Sequence, residues 1–149
     1  MLFRSLLDLL KKAEKSRDKL LLKLSVIELK DALENLEQIG EINLLTQILE
    51  ESDLDTMRMV ADRFRQEVPK RGIVVLGTVI DGSPRLIAAV TEDLIKEGIK
   101  AGDLIKHVAQ QVGGGGGGRP NLAEAGGKDP DKLPGALNSV AGWIKEKKK

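Results

Sequence analysis

The chain contains no cysteine, no tyrosine and only one histidine, His107. A disulfide framework, a thiol nucleophile, a cysteine redox centre and a Cys/His zinc site are excluded together. Aromatics are confined to Phe3, Phe64 and Trp143, too few for the rows of stacking side chains that bind single strands. No apolar run approaches the roughly 20 residues needed to span a bilayer. Asp8, Lys11 and Lys12 interrupt the leading leucines, so the signal-peptide layout is missing as well. The expectation is a soluble, untargeted chain with no membrane partner, compatible with a cytoplasmic location. An excess of one charge is also lacking: 24 Lys and Arg stand against 23 Asp and Glu in 149 residues. A basic coat over the whole surface is thereby excluded, and any polyanion site has to be local. At this length a single compact body would bury roughly 68–70% of its unfolded surface.

The near-neutral total hides an uneven distribution. Residues 1 to 24 carry a net +4, residues 25 to 72 a net −5, residues 73 to 118 a net −1 and residues 119 to 149 a net +3. Residues 1 to 38 hold no Gly or Pro and are rich in Leu, Lys and Glu, as a long helix requires. Leu2, Leu6, Leu9, Ala13, Ser16 and Leu20 repeat at alternating intervals of four and three. Leu22, Val26, Leu29, Leu33 and Leu36 do the same two residues out of phase. The stripe changes face near Leu21, and Ser25 to Glu28 reads S-x-x-E, a capping box, so either one rod or two helices satisfies the pattern. Two apolar faces on so short a segment need partners, and a second chain is the natural candidate. Leu6, Leu10, Leu20, Leu24, Val26, Leu29 and Leu33 are the residues expected to make that dimer contact.

From about residue 40 the pattern changes to a small α/β domain, so the expected division is 1–39 for a helical arm and 40–149 for a globular unit. Ile42 to Leu49 reads as a strand. Ser52 or Asp53 caps a helix whose Leu54, Met57, Ala61, Phe64 and Val68 share a face, with Pro69 ending it. Ile73 to Ile80 and Pro84 to Val90 form a β-hairpin about Asp81-Gly82. Thr91 caps a short helix ended by Gly98, and a further helix runs from about Gly102 to Val112. Residues 119 to 130 read as loop. A last helix starts near Asp131, tolerates Pro134 in its first turn and buries Leu133, Leu137, Val140 and Ile144.

The sharpest feature is the string from Val108 to Gly127, VAQQVGGGGGGRPNLAEAGG. Glycines let another backbone approach closely, and consecutive N–H groups beside a cation such as Arg119 can form an anion-binding nest. The plain alternative is a flexible linker. A nucleotide-binding P-loop is excluded, because the run follows a helix and lacks the G-K-[S/T] ending. His107 has no nucleophile or metal partner near it in sequence and reads as a packed or solvent-facing helix residue. Asp53, Asp55, Asp62, Glu92 and Asp93 read as first-turn or surface acids without a catalytic role. Trp143 reads as an anchor for the last helix, and the terminal KEKKK as a solvated end.

The glycine string, with Leu133-Pro134-Gly135-Ala136-Leu137 and Gly142-Trp143-Ile144, closely resembles the C-terminal domain of the alanyl-tRNA synthetases. VVLGTVIDGSPRLIAAVTEDL and AGDLIKHVAQQV look like the same domain in the same order, so the resemblance covers about residues 40 to 146. It implies an excised, non-catalytic fragment of alanine–tRNA ligase that binds the elbow of tRNA(Ala) and helps one tRNA serve both the aminoacylation and the editing sites. Its arm would mediate homodimer formation. ATP, magnesium and zinc would belong to the catalytic and editing domains of the parent, and no cofactor to this piece. Related domains follow the catalytic part of DHH-type phosphoesterases, where a similar loop contacts nucleic acid. By analogy the tRNA-facing residues are Gly113, Gly114, Gly115, Gly116, Gly117, Gly118, Arg119, Asn121 and Lys128.

Overall fold

A computed structural model of the chain describes residues 2–34, 36–50 and 52–147. The elements in chain order are α1 (Leu2–Leu33), β1 (Glu37–Ile39), β2 (Ile42–Ile48), α2 (Leu54–Glu67), β3 (Gly72–Ile80) and β4 (Ser83–Val90). They continue with α3 (Glu92–Lys96), α4 (Ala101–Gln111), β5 (Gly115–Gly118), β6 (Leu122–Gly126), α5 (Leu133–Asn138) and α6 (Val140–Lys147). The expected α/β class stands.

The arm is one uninterrupted helix of 32 residues, and the S-x-x-E sequence lies inside it. The change of stripe has another cause. Leu29 is 1% exposed and, with Ala32 and Leu33, packs against Met57, Val60, Ala61 and Phe64 of α2. Leu2, Leu6, Leu9, Leu10, Leu20 and Ile27 lie on the surface. Successive helical residues turn by about 100°, so Leu29 and Ile27 point to nearly opposite sides. One apolar face of α1 is therefore taken by the chain's own α2 and the other is uncovered. This corrects the expectation for Leu29, whose side chain is already covered within the chain. Leu33 is half-buried in the same contact. The side chains of Leu24 and Val26 lie outside the described residues.

Among the described residues six strands form one mixed sheet in the order β1-β2-β3-β4-β6-β5. There β2 and β3 alone pair in parallel, with α2 as their crossover; the remaining pairs are antiparallel. Period-two alternation sorts side chains to the two faces. Ile73, Val75, Leu86, Ala88, Val90, Ala123 and Ala125 meet α4, α5 and α6, while Val74, Leu76, Ile87 and Ala89 meet α2 and the end of α1. The central strand β3 is buried on both sides from Gly72 to Thr78, which is why its sequence reads as an unbroken apolar run. At the hairpin tip Asp81 and Gly82 both have positive φ, 51° and 78°, as a two-residue turn of this hand requires. Asp53 caps α2, its Oδ1 accepting from the Thr56 N–H at 2.7 Å. That contact holds its carboxyl below the usual 3.8.

The structure departs from the sequence pattern at four places. The glycine run is neither a nest nor a linker, because Gly115–Gly118 is the edge strand β5, paired antiparallel with β6 from Gly115↔Gly126 to Gly118↔Ala123. A nest needs alternating left- and right-handed backbone, and an extended strand lacks it. Residues 119 to 130 are not all loop, since they contain β6. The last helix is split: a 3-10 turn at Pro130–Lys132 leads into α5, and Ser139 separates α5 from α6. The Ser139 hydroxyl donates to the Ala136 carbonyl at 2.6 Å at this junction. Leu133, Leu137, Val140 and Ile144 are buried across the junction as the apolar spacing requires. Strand β1 also lies at 37–39, inside the stretch assigned to the arm.

Candidate nucleic-acid interface

Each glycine of the run answers a different local demand. Gly113, at φ 72°, is the left-handed residue after α4, and the next N–H, that of Gly114, closes back on the Ala109 carbonyl at 2.9 Å. A methyl on Gly114 would sit 1.9 Å from the Gly126 carbonyl oxygen, and one on Gly116 2.3 Å from Cβ of Ala125. These two are bare because β6 lies too close for any side chain. A methyl on Gly115 would have no atom within 4 Å, and one on Gly117 only Cε of Lys106 at 3.6 Å. A side chain is therefore barred by β6 at Gly114, Gly116 and Gly118 and not at Gly115 and Gly117, while the strand itself is exposed at Gly115, Gly116 and Gly118 and half-buried at Gly117. On α4, Gly102 admits the Gly118 carbonyl, which lies 3.2 Å from where its Cβ would be.

The turn after β5 is fastened at three points. The Arg119 N–H donates to Leu122 O at 3.1 Å, Pro120 O accepts from the Ala101 N–H at 2.8 Å, and Asn121 O accepts from the Val90 N–H at 3.1 Å. Backbone bonds thus hold Arg119 and Asn121 rigidly, while their side chains have no hydrogen-bond partner among the described residues. Lys128 is exposed and anchored at the other end of the ladder, its N–H donating to Val112 O at 2.8 Å. Arg119 and Asn121 are brought together beside Gly118, and Lys128 stands apart beside Gly113. Sequence reasoning missed Lys106. It lies four residues after Gly102 and so on the same face of α4, the one that meets the glycine strand. That spacing was the available signal.

Beside β5 lie two adjoining open clefts, one of about 430 Å³ between α2 and Val90, Thr91, Glu92 and Asn121, and one of about 460 Å³ between α2 and the stretch from Gly117 to Glu124. Asp62, Arg65 and Asn121 line both. Arg65 donates to Asp62. At the far end Arg58 clasps Glu124 with two hydrogen bonds, one of them from Nη2 to Oε2 at 2.9 Å, and reaches Asp55 at 2.9 Å. The Arg58 guanidinium holds the Glu124 carboxyl below its usual 4.5, and the pair in turn raises Arg58. The clasp ties β6 to α2 and fixes the cleft wall.

Elsewhere the polar groups are structural. His107 is half-buried between α4 and the α5–α6 junction, its Nε2 3.1 Å from Gln111 Nε2 and 3.3 Å from Ser139 Oγ. The Ser139 proton is directed at Ala136 O, so no nucleophile is activated there. Trp143 packs half-buried against the core, 6.4 Å from the His107 ring, with Lys147 Nζ 5.4 Å from its centroid. Asp93 accepts from Thr91 Oγ1 and from the Arg71 N–H; burial raises its carboxyl, but these bonds outweigh it and leave it lowered. Among the described residues no group of three or more His, Cys, Asp or Glu side chains could hold a metal ion, and the residues present do not fit one. No described helix is long and apolar enough to cross a membrane.

The family model of the DHHA1 domain matches residues 41–146. The alanine–tRNA ligase of Nitrosomonas eutropha is 46% identical over 138 residues, which are 93% of this chain but 16% of that enzyme. The chain therefore spans about a sixth of the curated relatives it matches. Among solved structures, the C-Ala domain of Aquifex aeolicus alanyl-tRNA synthetase superposes with a TM-score of 0.68 at 30% identity, covering 74% of this chain and 97% of that one. RecJ from Thermus thermophilus shares the fold alone, with a TM-score of 0.55 at 15% identity over 88% of this chain and 18% of that one. By the family match over most of its length and its likeness to a solved C-Ala domain, the chain belongs to the DHHA1 domain family, as a domain of the C-Ala type.

Proposed function

We propose that the chain is a non-catalytic tRNA-holding part of an alanine–tRNA ligase. It binds the elbow of tRNA(Ala) along the glycine edge and self-associates through the uncovered face of α1, so that one tRNA serves both the aminoacylation and the editing sites of the parent. It works in the cytoplasm, and ATP, magnesium and zinc are handled by the catalytic and editing domains. The carrying observation is the sheet edge β5. It is a strand without side chains, exposed at Gly115, Gly116 and Gly118, with Arg119 held at one end, Lys128 at the other and Lys106 beside Gly117. Backbone N–H groups with a few fixed cations suit a sugar–phosphate chain and read no bases, which is how an RNA is positioned by shape.

Filter binding of tRNA(Ala) over a salt series tests the reading. The expected result is binding that weakens linearly on a log–log plot as salt rises. No detectable binding at low salt overturns it. A second reading, a structural oligomerisation module indifferent to RNA, is favoured by the row of exposed leucines on α1 and is what that negative result would leave.

A further inference from the structure

The first of the two clefts, lined by Gln66, Glu92 and Asn121, differs in electrostatics from the glycine edge itself. Its one cation, Arg65, is engaged by Asp62, the remaining charge on its wall is Glu92, which has no partner, and Arg119 lines only the adjoining cleft. Such a surface repels phosphate. What it does offer is a set of uncommitted neutral polar groups: the Gln66 and Asn121 side chains line the same cleft and make no hydrogen bond among the described residues. The adjoining cleft, which shares Asp62, Arg65 and Asn121 with it, is lined by Gly117, Gly118, Leu122 and Arg119. An amide presents a donor and an acceptor side by side, the pattern that pairs with a base edge. A guanidinium plane can stack on a base where aromatics are absent. Each cleft has the volume of a small-ligand site.

We infer that the cleft lined by Gln66 and Asn121 receives one unstacked ribonucleotide base, read by those two amides, while Arg119 and the glycine edge of the adjoining cleft hold its phosphates. The inference rests on the tRNA reading above and adds to it a base-reading residue pair. It requires that the bound RNA supply an unpaired nucleotide, because a base inside a duplex cannot enter. Division of labour follows from the charges: Arg119 supplies affinity that depends on salt, and the two amides supply discrimination that does not.

Trinucleotides of each of the four bases and a blunt RNA duplex, titrated at fixed salt against the full chain, test this. The expected result is a preference of about tenfold for one base, the discrimination that base-edge hydrogen bonds supply, and weaker binding of the duplex. Gln66→Ala and Asn121→Ala should reduce that preference to near unity with the salt slope unchanged, whereas Arg119→Ala should lower the slope and keep the preference. Circular dichroism melts exclude unfolding as the cause, since both amide side chains lie outside the core. Equal binding of all four bases, or amide variants that keep the wild-type preference, overturns the inference while leaving tRNA binding intact. Failure of every RNA, tRNA(Ala) included, overturns the underlying reading instead.

Discussion

Single residues here divide into those that close the fold and those that the proposed function assigns to a ligand. Glu124 belongs to the first. Its carboxyl is held below 4.5 by Arg58, so the ion pair stabilises the folded state fully above the ordinary carboxylate range. That contribution disappears as pH falls through the lowered value, because the unfolded state then binds the extra proton less reluctantly than the folded one. Glu124→Gln should therefore lower the melting temperature at pH 7, and the gap to wild type should close below about pH 4. Melts at pH 7, 5 and 3 check it, and a gap that is constant with pH would remove the charge from the account. The proposed function assigns Arg119 and Asn121 to the second group. Their free side chains on a backbone pinned at Leu122, Ala101 and Val90 are what a ligand-facing residue needs, and nothing in the packing otherwise requires them.

At the scale of elements the glycine strand is decisive. Gly114→Ala and Gly116→Ala force a methyl into β6 and should destabilise by about 1–3 kcal/mol, as overpacking does. Gly115→Ala meets nothing and should be neutral or stabilising by up to about 1 kcal/mol, because it restricts the unfolded chain. Urea melts of the three variants test the alternation directly, and equal effects would mean that β5 is not a strand in solution. Elements with a side-chain period were legible in the sequence: α2 from its apolar face, the β3–β4 hairpin from its β-branched runs about Asp81-Gly82, and α4 up to the glycines. An all-glycine strand has no period and the weakest strand propensity, so β5 could be found only from its neighbours β6 and α4. The strand β6 was hidden for a related reason, since L-A-E-A-G is bounded by Pro120 and Gly127 and reads as part of a loop. The candidate site was half legible. The glycines, Arg119 and Asn121 stand together in sequence, whereas Lys106, Arg65 and Gln66 reach the site through α4 and α2, and only the packing of those helices brings them there.

The whole molecule is a sheet sandwiched between helices, with a helix leaving it at one side. The phase shift in the leucine pattern of α1 marks where that helix stops serving the chain's own core and begins to expose Leu6, Leu10 and Leu20. Truncation at residue 40 would remove β1 and Leu29 with the arm, so substitution is the cleaner probe. Leu6→Glu with Leu20→Glu should convert dimers to monomers in sedimentation equilibrium and leave the melting temperature nearly unchanged, because neither side chain touches the core. Monomers for the wild type would exclude the arm as a self-association surface.

The central claim is that the glycine edge with Arg119 holds the backbone of tRNA. Its most direct measurement is the dissociation constant for tRNA(Ala) against salt for the wild type, Arg119→Ala and, as a control on the arm, Lys15→Ala. The account predicts linear log–log plots, with the slope for Arg119→Ala shallower by about 0.7–0.9, one phosphate contact, and Lys15→Ala superimposing on wild type. Three coincident lines, or no binding at low salt, would contradict it.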